Sequence, residues 1–558
     1  MINILKDLLN IKKLKYFKIV KNYKLINKKI FNENFPNSET QILVEFNAFH
    51  ADHIFLSYLS NYFSRKFKSK IVGFYNFSLL VSDLDYSFIK NIKWYLSTKF
   101  NYRNFGIYKS FGTKYFIKPS LDLDQNKKAK KIFEKEIKKI KNNGDIYKLK
   151  FNQTILGDLF YDTYLKRFYE PTININTDKF KNFFHDFIRL IIYWDDYLNK
   201  NNVKAVVGVH AQYSYAIIHR LAARKKIPVI LNQEGRIFKI NKKHIHQFNE
   251  YLFYKKNFNL LSKEKKLKAR TEGLKVLKNR ISGSSGAKSG QSYISKSSFK
   301  NSYKNKKKLL LNNKKPNVLI ATQDFFDAIN VYGRFIFNDF YEWLNFLGQV
   351  SNKTNYNWYI KDHPNYAGKY KKYQPFTTNI TKEICKKFPN IKRIPSDTPH
   401  NQLINEGVDV VLTVFGSVQF EYPVFNVPVI TASNIVPSKN YNFSIKSLNK
   451  KDYLKKILNI KKKRSKFKIN EIYEFYYMNF VFHNQEIVYP LYNKFNLIKK
   501  KLDLYWSEEF YKFWYENFTF EQHNQIFNTI DNFYKSKDIT VNINHSDKKN
   551  KKNFSTTK

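Results

Sequence analysis

At 558 residues the chain is too long for one ordinary hydrophobic core, so two globular domains with extensions are expected. Hydrophobic residues make up 43% of it and aromatics 18%, with 41 Tyr and 52 Phe, which excludes wholesale disorder. Lys and Arg total 99 against 45 Asp and Glu, a formal net charge of +54 that attracts polyanions, while the single cysteine, Cys385, excludes an intrachain disulfide framework and a cysteine-based zinc site.

No run approaches the ~18 consecutive apolar residues of a membrane span, and Met1–Asn10 lacks the apolar core and cleavage site of a signal peptide. The expected location is cytoplasmic, peripheral at most to the inner face of the plasma membrane. Scattered lysines are ordinarily a solvated surface, and the joint abundance of Lys, Asn, Ile, Tyr and Phe resembles the product of an AT-rich genome.

Residues 1–38 form a basic N-terminal extension in which Ile4, Leu8, Ile11, Leu14 and Phe17 recur at helical spacing. Such a helix would rest on an anionic membrane surface or dock on its own domain. Residues 39–250 read as a first α/β domain. Gln41–Phe46, Asp52–Lys66 and Ile71–Phe74 make a strand–helix–strand opening, and Lys127–Lys141 a charged, solvated helix. In Ile155–Tyr164, Asp158 and Asp162 interrupt an apolar helix start, the pattern of either a polar pocket or of caps and surface residues.

A helix over Lys181–Lys200, a strand at Ala205–Gly208, a helix over Tyr213–Lys225 and a strand at Pro228–Leu231 continue the alternation of a parallel sheet. Ligands of open α/β sheets bind beyond the carboxyl ends of strands, so His210 becomes a site candidate by position. Asn232-Gln233-Glu234-Gly235-Arg236 is a second polar cluster of the same kind. Residues 251–312 are a basic helix and a Ser/Gly/Lys-rich linker; its Gly283-Ser284-Ser285-Gly286-Ala287-Lys288-Ser289 lacks the ending, spacing and preceding strand of a true phosphate loop.

Residues 313–462 read as a second α/β domain. A strand at Asn317–Ala321 opens onto Thr322–Asp327, a helix covers Asn338–Val350, and a strand at Asn357–Ile360 delivers Lys361 and His363. After a strand at Ile391–Ile394 and a helix start at Ser396–Pro399, the apolar run Val408–Val414 turns through Gly416-Ser417 into a helix carrying Glu421. Residues 463–537 are a helical extension and 538–558 a disordered polar tail.

A strand, a Gly-Ser turn and a helix start present backbone N–H groups and a positive helix end to a phosphate. Gly416 permits close approach and Ser417 adds a hydroxyl, while Lys361 or His363, on the adjacent strand, would neutralise or protonate the same group without a metal. Glu421 lies one helical turn after Ser417, placed to bond a ribose or sugar hydroxyl or to serve the structure alone.

Taken in order, Gly157-Asp158-Leu159-Phe160-Tyr161-Asp162-Thr163-Tyr164, His210 with Tyr213, Asp327 followed by Phe337-Asn338-Asp339-Phe340-Tyr341-Glu342-Trp343, Lys361-Asp362-His363-Pro364, and Gly416-Ser417 with Glu421 resemble the capsular-polysaccharide biosynthesis glycosyltransferases related to the retaining β-Kdo transferases. The resemblance implies an α/β fold of the GT-B kind: two facing Rossmann-like domains, here with a helical C-terminal extension. It implies a nucleotide-sugar donor, a CMP-linked sugar, with Lys361, His363, Gly416, Ser417, Glu421 and Asp327 on the donor side, no cofactor and no metal. The acceptor would be a glycolipid or polysaccharide whose hydroxyl is activated by Asp158 or Asp162, with His210 as the rival base, and His363 would act at the departing phosphate. The chain departs from the family at Asp362, where a proline often precedes the histidine.

Three other readings stand beside this one. A CDP-glycerol-type phosphotransferase or a sialyltransferase-like enzyme would use the same phosphate elements. A basic nucleic-acid-binding protein would use the lysines and aromatics as a stacking surface, but no RRM, KH, helix-turn-helix or zinc signature is present. The third is a noncatalytic scaffold on the same fold.

Overall fold

The computed structural model describes residues 11–46, 50–75, 84, 87–233, 235–282, 299, 308–363, 374–460, 467–490, 508–517 and 519–546. The first sheet is built from β1 (Gln41–Phe46), β2 (Lys70–Tyr75), β3 (Thr113–Ile117), β6 (Val203–Gly208), β7 (Val229–Gln233) and β8 (Arg236–Ile240), with a small hairpin of β4 (Lys150–Phe151) and β5 (Thr154–Ile155) set apart. Its order is β3-β2-β1-β6-β7-β8, parallel throughout except for the hairpin-linked β8. The second sheet takes β9 (Asn317–Ala321), β10 (Asn357–Lys361), β11 (Ile391–Ile394), β12 (Val410–Thr413), β13 (Val429–Thr431) and β14 (Ile445–Lys446) in the order β11-β10-β9-β12-β13-β14, all parallel.

In each sheet the strand order runs outward from the first strand and then reverses, which is the doubly wound plan. Two such domains and a helical C-terminal extension make the GT-B-type α/β architecture expected from the sequence. The strands are apolar on both faces, as buried parallel strands must be: Val410, Val411, Leu412 and Thr413 are all buried. Among the described residues no helix is long and apolar enough to cross a membrane.

The extensions are packed parts of these domains. The helix Ile11–Ile30 docks through buried Ile19 and Tyr23, whose ring stacks on Tyr511 at 4.2 Å, and Asn27 donates to Ser110 Oγ at 3.0 Å. This is the docked alternative for the N-terminal segment; Ile4 and Leu8 lie outside the described residues. The helices Glu509–Asn517 and Phe520–Lys535 return to the same place, where Phe510, Tyr511, Trp514, Ile526 and Ile530 share one buried cluster with Ile54, Tyr58 and Leu59 of the helix His50–Phe67.

Two sequence expectations change. The polar tail from Asp538 is ordered at its start: Lys239 N donates to Ile539 O at 2.7 Å and Val541 N to Ile237 O at 3.0 Å, so this segment extends the sheet beyond β8, while residues 547–558 lie outside the description. The cluster at Asn232–Arg236 is the turn of the β7–β8 hairpin, with Gly235 at φ 86° and Arg236 buried against Glu250, and Glu234 outside the description. The basic helix expected after residue 251 is Lys263–Ile281. A Cβ at Gly273 would stand 2.0 Å from the carbonyl oxygen of Tyr473, so only glycine lets this helix cross Ile469–Tyr477 at backbone contact. The Ser/Gly-rich residues 283–298 lie outside the description.

Candidate functional site

At the switch point of the second sheet the carboxyl ends of β9 and β12 part, and their loops meet where Phe415 N donates to Gln323 Oε1 at 3.5 Å. After β12, Gly416 N donates to Thr413 Oγ1 at 3.3 Å, and a Cβ on Gly416 would press on that hydroxyl at 2.9 Å, so the tight turn requires glycine. Ser417 then begins a single α-turn, Val418–Glu421, which tightens into the 3-10 turn Tyr422–Phe425. So short a helix has little macrodipole, and the charge has to come from side chains.

It comes from Arg280, the last arginine of the Lys263–Ile281 helix. Its Nε donates to Glu421 Oε1 at 2.5 Å and its Nη2 approaches Ser417 Oγ at 3.4 Å. Glu421 is fully buried, and its carboxylate is held by Arg280. Lys361 is also buried, donating from Nζ to Ser396 O at 2.8 Å; burial lowers its pKa to about 8, with Asp362, Asp397 and Glu421 opposing the shift. His400 lies in the same cluster, its Nδ1 2.7 Å from Tyr422 Oη, and burial with the nearby charges of Lys361 and Arg280 holds it well below the usual histidine range. Asp362 is fully buried and tied to Arg393 and Thr378. His363 stands half-buried at the end of β10, and Pro364 lies outside the described residues.

The acidic residues of the first domain belong to a different structure. The loop between β9 and the helix Phe340–Ser351 reaches across to the first domain at several points, among them Asn338 O, which accepts from Tyr147 Oη at 2.6 Å. Asp327 accepts from Tyr213 Oη at 2.7 Å and from Lys166 Nζ at 3.1 Å. Asn330 donates to Asp162 from its backbone at 3.3 Å and from Nδ2 at 2.7 Å. Gly333 lies beside His246. Asp339 caps the Phe340–Ser351 helix through Glu342 N at 2.7 Å and accepts from Tyr161 Oη and Thr172 Oγ1, each at 2.6 Å.

Asp158 and Asp162 lie one turn apart on the helix Gly157–Phe168, and both are buried. Asp158 is gripped by both Arg220 nitrogens at 2.6 and 2.7 Å; burial alone would raise its pKa, but Arg220 outweighs burial and keeps it low. A carboxylate clamped in this way is a poor base. Asp162 is pushed well above the usual carboxylate range by burial and by Asp158, and its oxygens face Asn330.

His210 stands at the carboxyl end of β6, half-buried, with Asp327 and Lys166 as its charged neighbours. Burial lowers its pKa to about 4, so the imidazole is neutral at physiological pH. Its Nδ1 has no hydrogen-bond partner among the described residues. Of the sequence candidates, the structure therefore gathers Lys361, Gly416, Ser417 and Glu421 at one switch point, and Asp162 and Asp327 in the interdomain seam with Asp158 behind them. His210 is at the seam's edge. Arg280 and Lys166 were missed: Arg280 lies in a lysine-rich helix, where nothing in the local pattern separates a functional cation from a solvated one, and Lys166 stands beside Arg167 at the end of its helix, where a basic residue is ordinary.

No family model matches the chain, and no curated protein matches it in sequence. Solved structures that it resembles include the UDP-GlcNAc 2-epimerase of Methanocaldococcus jannaschii, at 12% identity over 77% of this chain and 95% of that one with a TM-score of 0.23. The UDP-GlcNAc 2-epimerase of Neisseria meningitidis bound to UDP-GlcNAc gives 11% identity, 78% and 97% coverage and a TM-score of 0.24. The wall teichoic acid polymerase TagF gives 11% identity, 90% and 97% coverage and a TM-score of 0.20. At scores this low, the fold assignment rests on the strand order of the two sheets.

Proposed function

We propose that the chain is a glycosyltransferase of surface-polysaccharide biosynthesis, transferring a Kdo-like sugar from a CMP-activated donor to a hydroxyl of a glycolipid or polysaccharide acceptor. The observation that carries this reading is the convergence of Arg280, Lys361 and the Gly416-Ser417 turn at the switch point of the second sheet, the place where doubly wound sheets take their ligands. Two cations and a hydroxyl suit the phosphate of a nucleotide sugar, whose negative charge grows as the glycosidic bond breaks.

In this mechanism the acceptor hydroxyl attacks the anomeric carbon within the cleft, and CMP leaves with its phosphate held at Ser417. His210 takes the acceptor proton, because it is neutral, at a strand end, and closer in character to a free base than the clamped Asp158 or the seam-bound Asp162. His363 protonates or bonds the departing phosphate from the end of β10.

The test is nucleotide release by the purified protein given CMP-Kdo, CMP-sialic acid or CDP-glycerol with a glycolipid acceptor. Turnover with CMP-Kdo, a fall of about a hundredfold or more in His210→Ala, and loss of activity in Ser417→Ala and His363→Ala are expected. Release from CDP-glycerol alone would reassign the chain to the phosphotransferases, and unchanged turnover in all three variants would sink the site.

A further inference from the structure

The helix Phe88–Lys99 is turned the wrong way round for a soluble protein. Its ring contacts with the rest of the molecule are made by Trp94, which meets Phe46 at 6.2 Å, Tyr75 at 5.7 Å and Phe105 at 5.0 Å, all edge-on, and Lys109 Nζ donates to Thr98 O at 3.0 Å on the same side. At ~100° per residue, Phe88, Ile89, Ile92, Tyr95, Leu96 and Phe100 fall on the opposite side. They are exposed, from 42% at Ile92 to 79% at Ile89. A contiguous apolar face of this kind marks an interaction surface.

Two features of the helix say what it meets. Lys93 flanks the apolar arc and Lys99 falls within it at the last turn; both are exposed, and the helix carries no acidic residue, on a chain whose net charge is +54. An apolar face that carries lysine and no carboxylate suits a helix lying in the headgroup region of an anionic bilayer. A second copy of the chain would instead set these lysines against their own copies. The position is the other feature: Phe46 and Tyr75 end β1 and β2, so Trp94 anchors the helix at the carboxyl edge of the first sheet, the edge that takes ligands in doubly wound sheets.

We propose that Phe88–Lys99 is a membrane-docking element that sinks its outward face into an anionic phospholipid surface and holds the acceptor side of the cleft against it. That the docked cleft then receives an acceptor carried on a lipid rests on the glycosyltransferase reading; the docking itself does not.

Co-sedimentation of the full chain with vesicles tests it. The protein is expected to bind equimolar phosphatidylglycerol–phosphatidylcholine vesicles and to bind phosphatidylcholine vesicles far more weakly. The double variant Ile92→Asp, Leu96→Asp is expected to lose at least about tenfold in partitioning while keeping the wild-type thermal melt, since both side chains are exposed. Equal binding by variant and wild type would overturn the proposal. So would a wild-type protein that ignores anionic vesicles, or one whose patch instead drives a dimer, seen by sedimentation velocity, that the double variant abolishes. No nucleotide enters these measurements, so their failure leaves the donor site standing, whereas failure of the wild-type protein to bind CMP would remove the donor site and leave the docking helix in place.

Discussion

Arg280 serves two ends that substitution can separate. Removing it strands the buried Glu421 carboxylate, and breaking a buried ion pair from one side costs about 3–5 kcal/mol. Arg280→Ala is therefore expected to lower the melting temperature markedly and to weaken CMP binding. Arg280→Met combined with Glu421→Gln is expected to restore much of the melting temperature, because no charge is left uncompensated, without restoring affinity. Calorimetry and CMP titration on the same samples check both; recovery of affinity in the double variant would show that Arg280 is structural alone. Lys361 adds a pH signature. Burial lowers its pKa to about 8, so charging it costs native-state stability below that value and the cost is relieved as pH rises. Binding has the opposite sign, because the phosphate needs the ammonium form. CMP affinity is expected to fall as pH rises through about 8, and Lys361→Met to bind weakly with a flat profile. The Gly-Ser turn and Lys361 were legible in the sequence because strand ends are local signals. The partners of Glu421 and Asp158 were not, since Arg280 and Arg220 arrive from distant helices.

At the scale of elements, the helix Gly157–Phe168 shows what spacing can and cannot tell. Asp158 and Asp162 visibly share a face, but the sequence does not say that the face meets Asn330 of the other domain. With its pKa raised by burial and by Asp158, ionised Asp162 destabilises the native state above its folded pKa, and the penalty fades as pH falls through that value toward the unfolded one. Asp162→Asn keeps an oxygen for the Asn330 donors, so it is expected to raise the melting temperature more at pH 8 than at pH 5. An equal shift at both pH values would contradict this account. Lys239 does comparable work at the other end of the chain: its Nζ donates to Phe533 O at 2.8 Å and Ser536 O at 2.7 Å, capping the Phe520–Lys535 helix from β8. The tail read as disordered because it is polar; its order comes from backbone pairing to an edge strand, which side-chain composition does not reveal.

For the whole molecule, the alternation of strands and helices was enough to give two parallel α/β units, since buried parallel strands advertise themselves as apolar runs such as Val408–Val414, while the doubly wound plan of each came from the resemblance. How the halves are joined was hidden. The seam is polar and assembled from residues far apart in sequence, and the first domain is finished by the last described residues of the chain. Ending the chain before Glu508 would remove Phe510, Tyr511, Trp514, Ile526 and Ile530 from a buried cluster, each worth about 1.5–3 kcal/mol. The truncated protein is expected to be insoluble or to lose its cooperative melt, as judged by soluble yield and circular dichroism; a well-folded product would refute the shared core.

That shared core also sets a timetable for synthesis. The sheet of the second domain is encoded without interruption from Asn317 to Lys446, whereas the seat that Tyr23 and Tyr58 share with Tyr511 and Trp514 cannot close until nearly the whole chain has left the ribosome. At ~5–20 residues per second, domains usually fold in the order they emerge. Here the half made first must wait for the half made last, and its apolar seat stays uncovered for the length of that delay, as a surface for chaperones to guard.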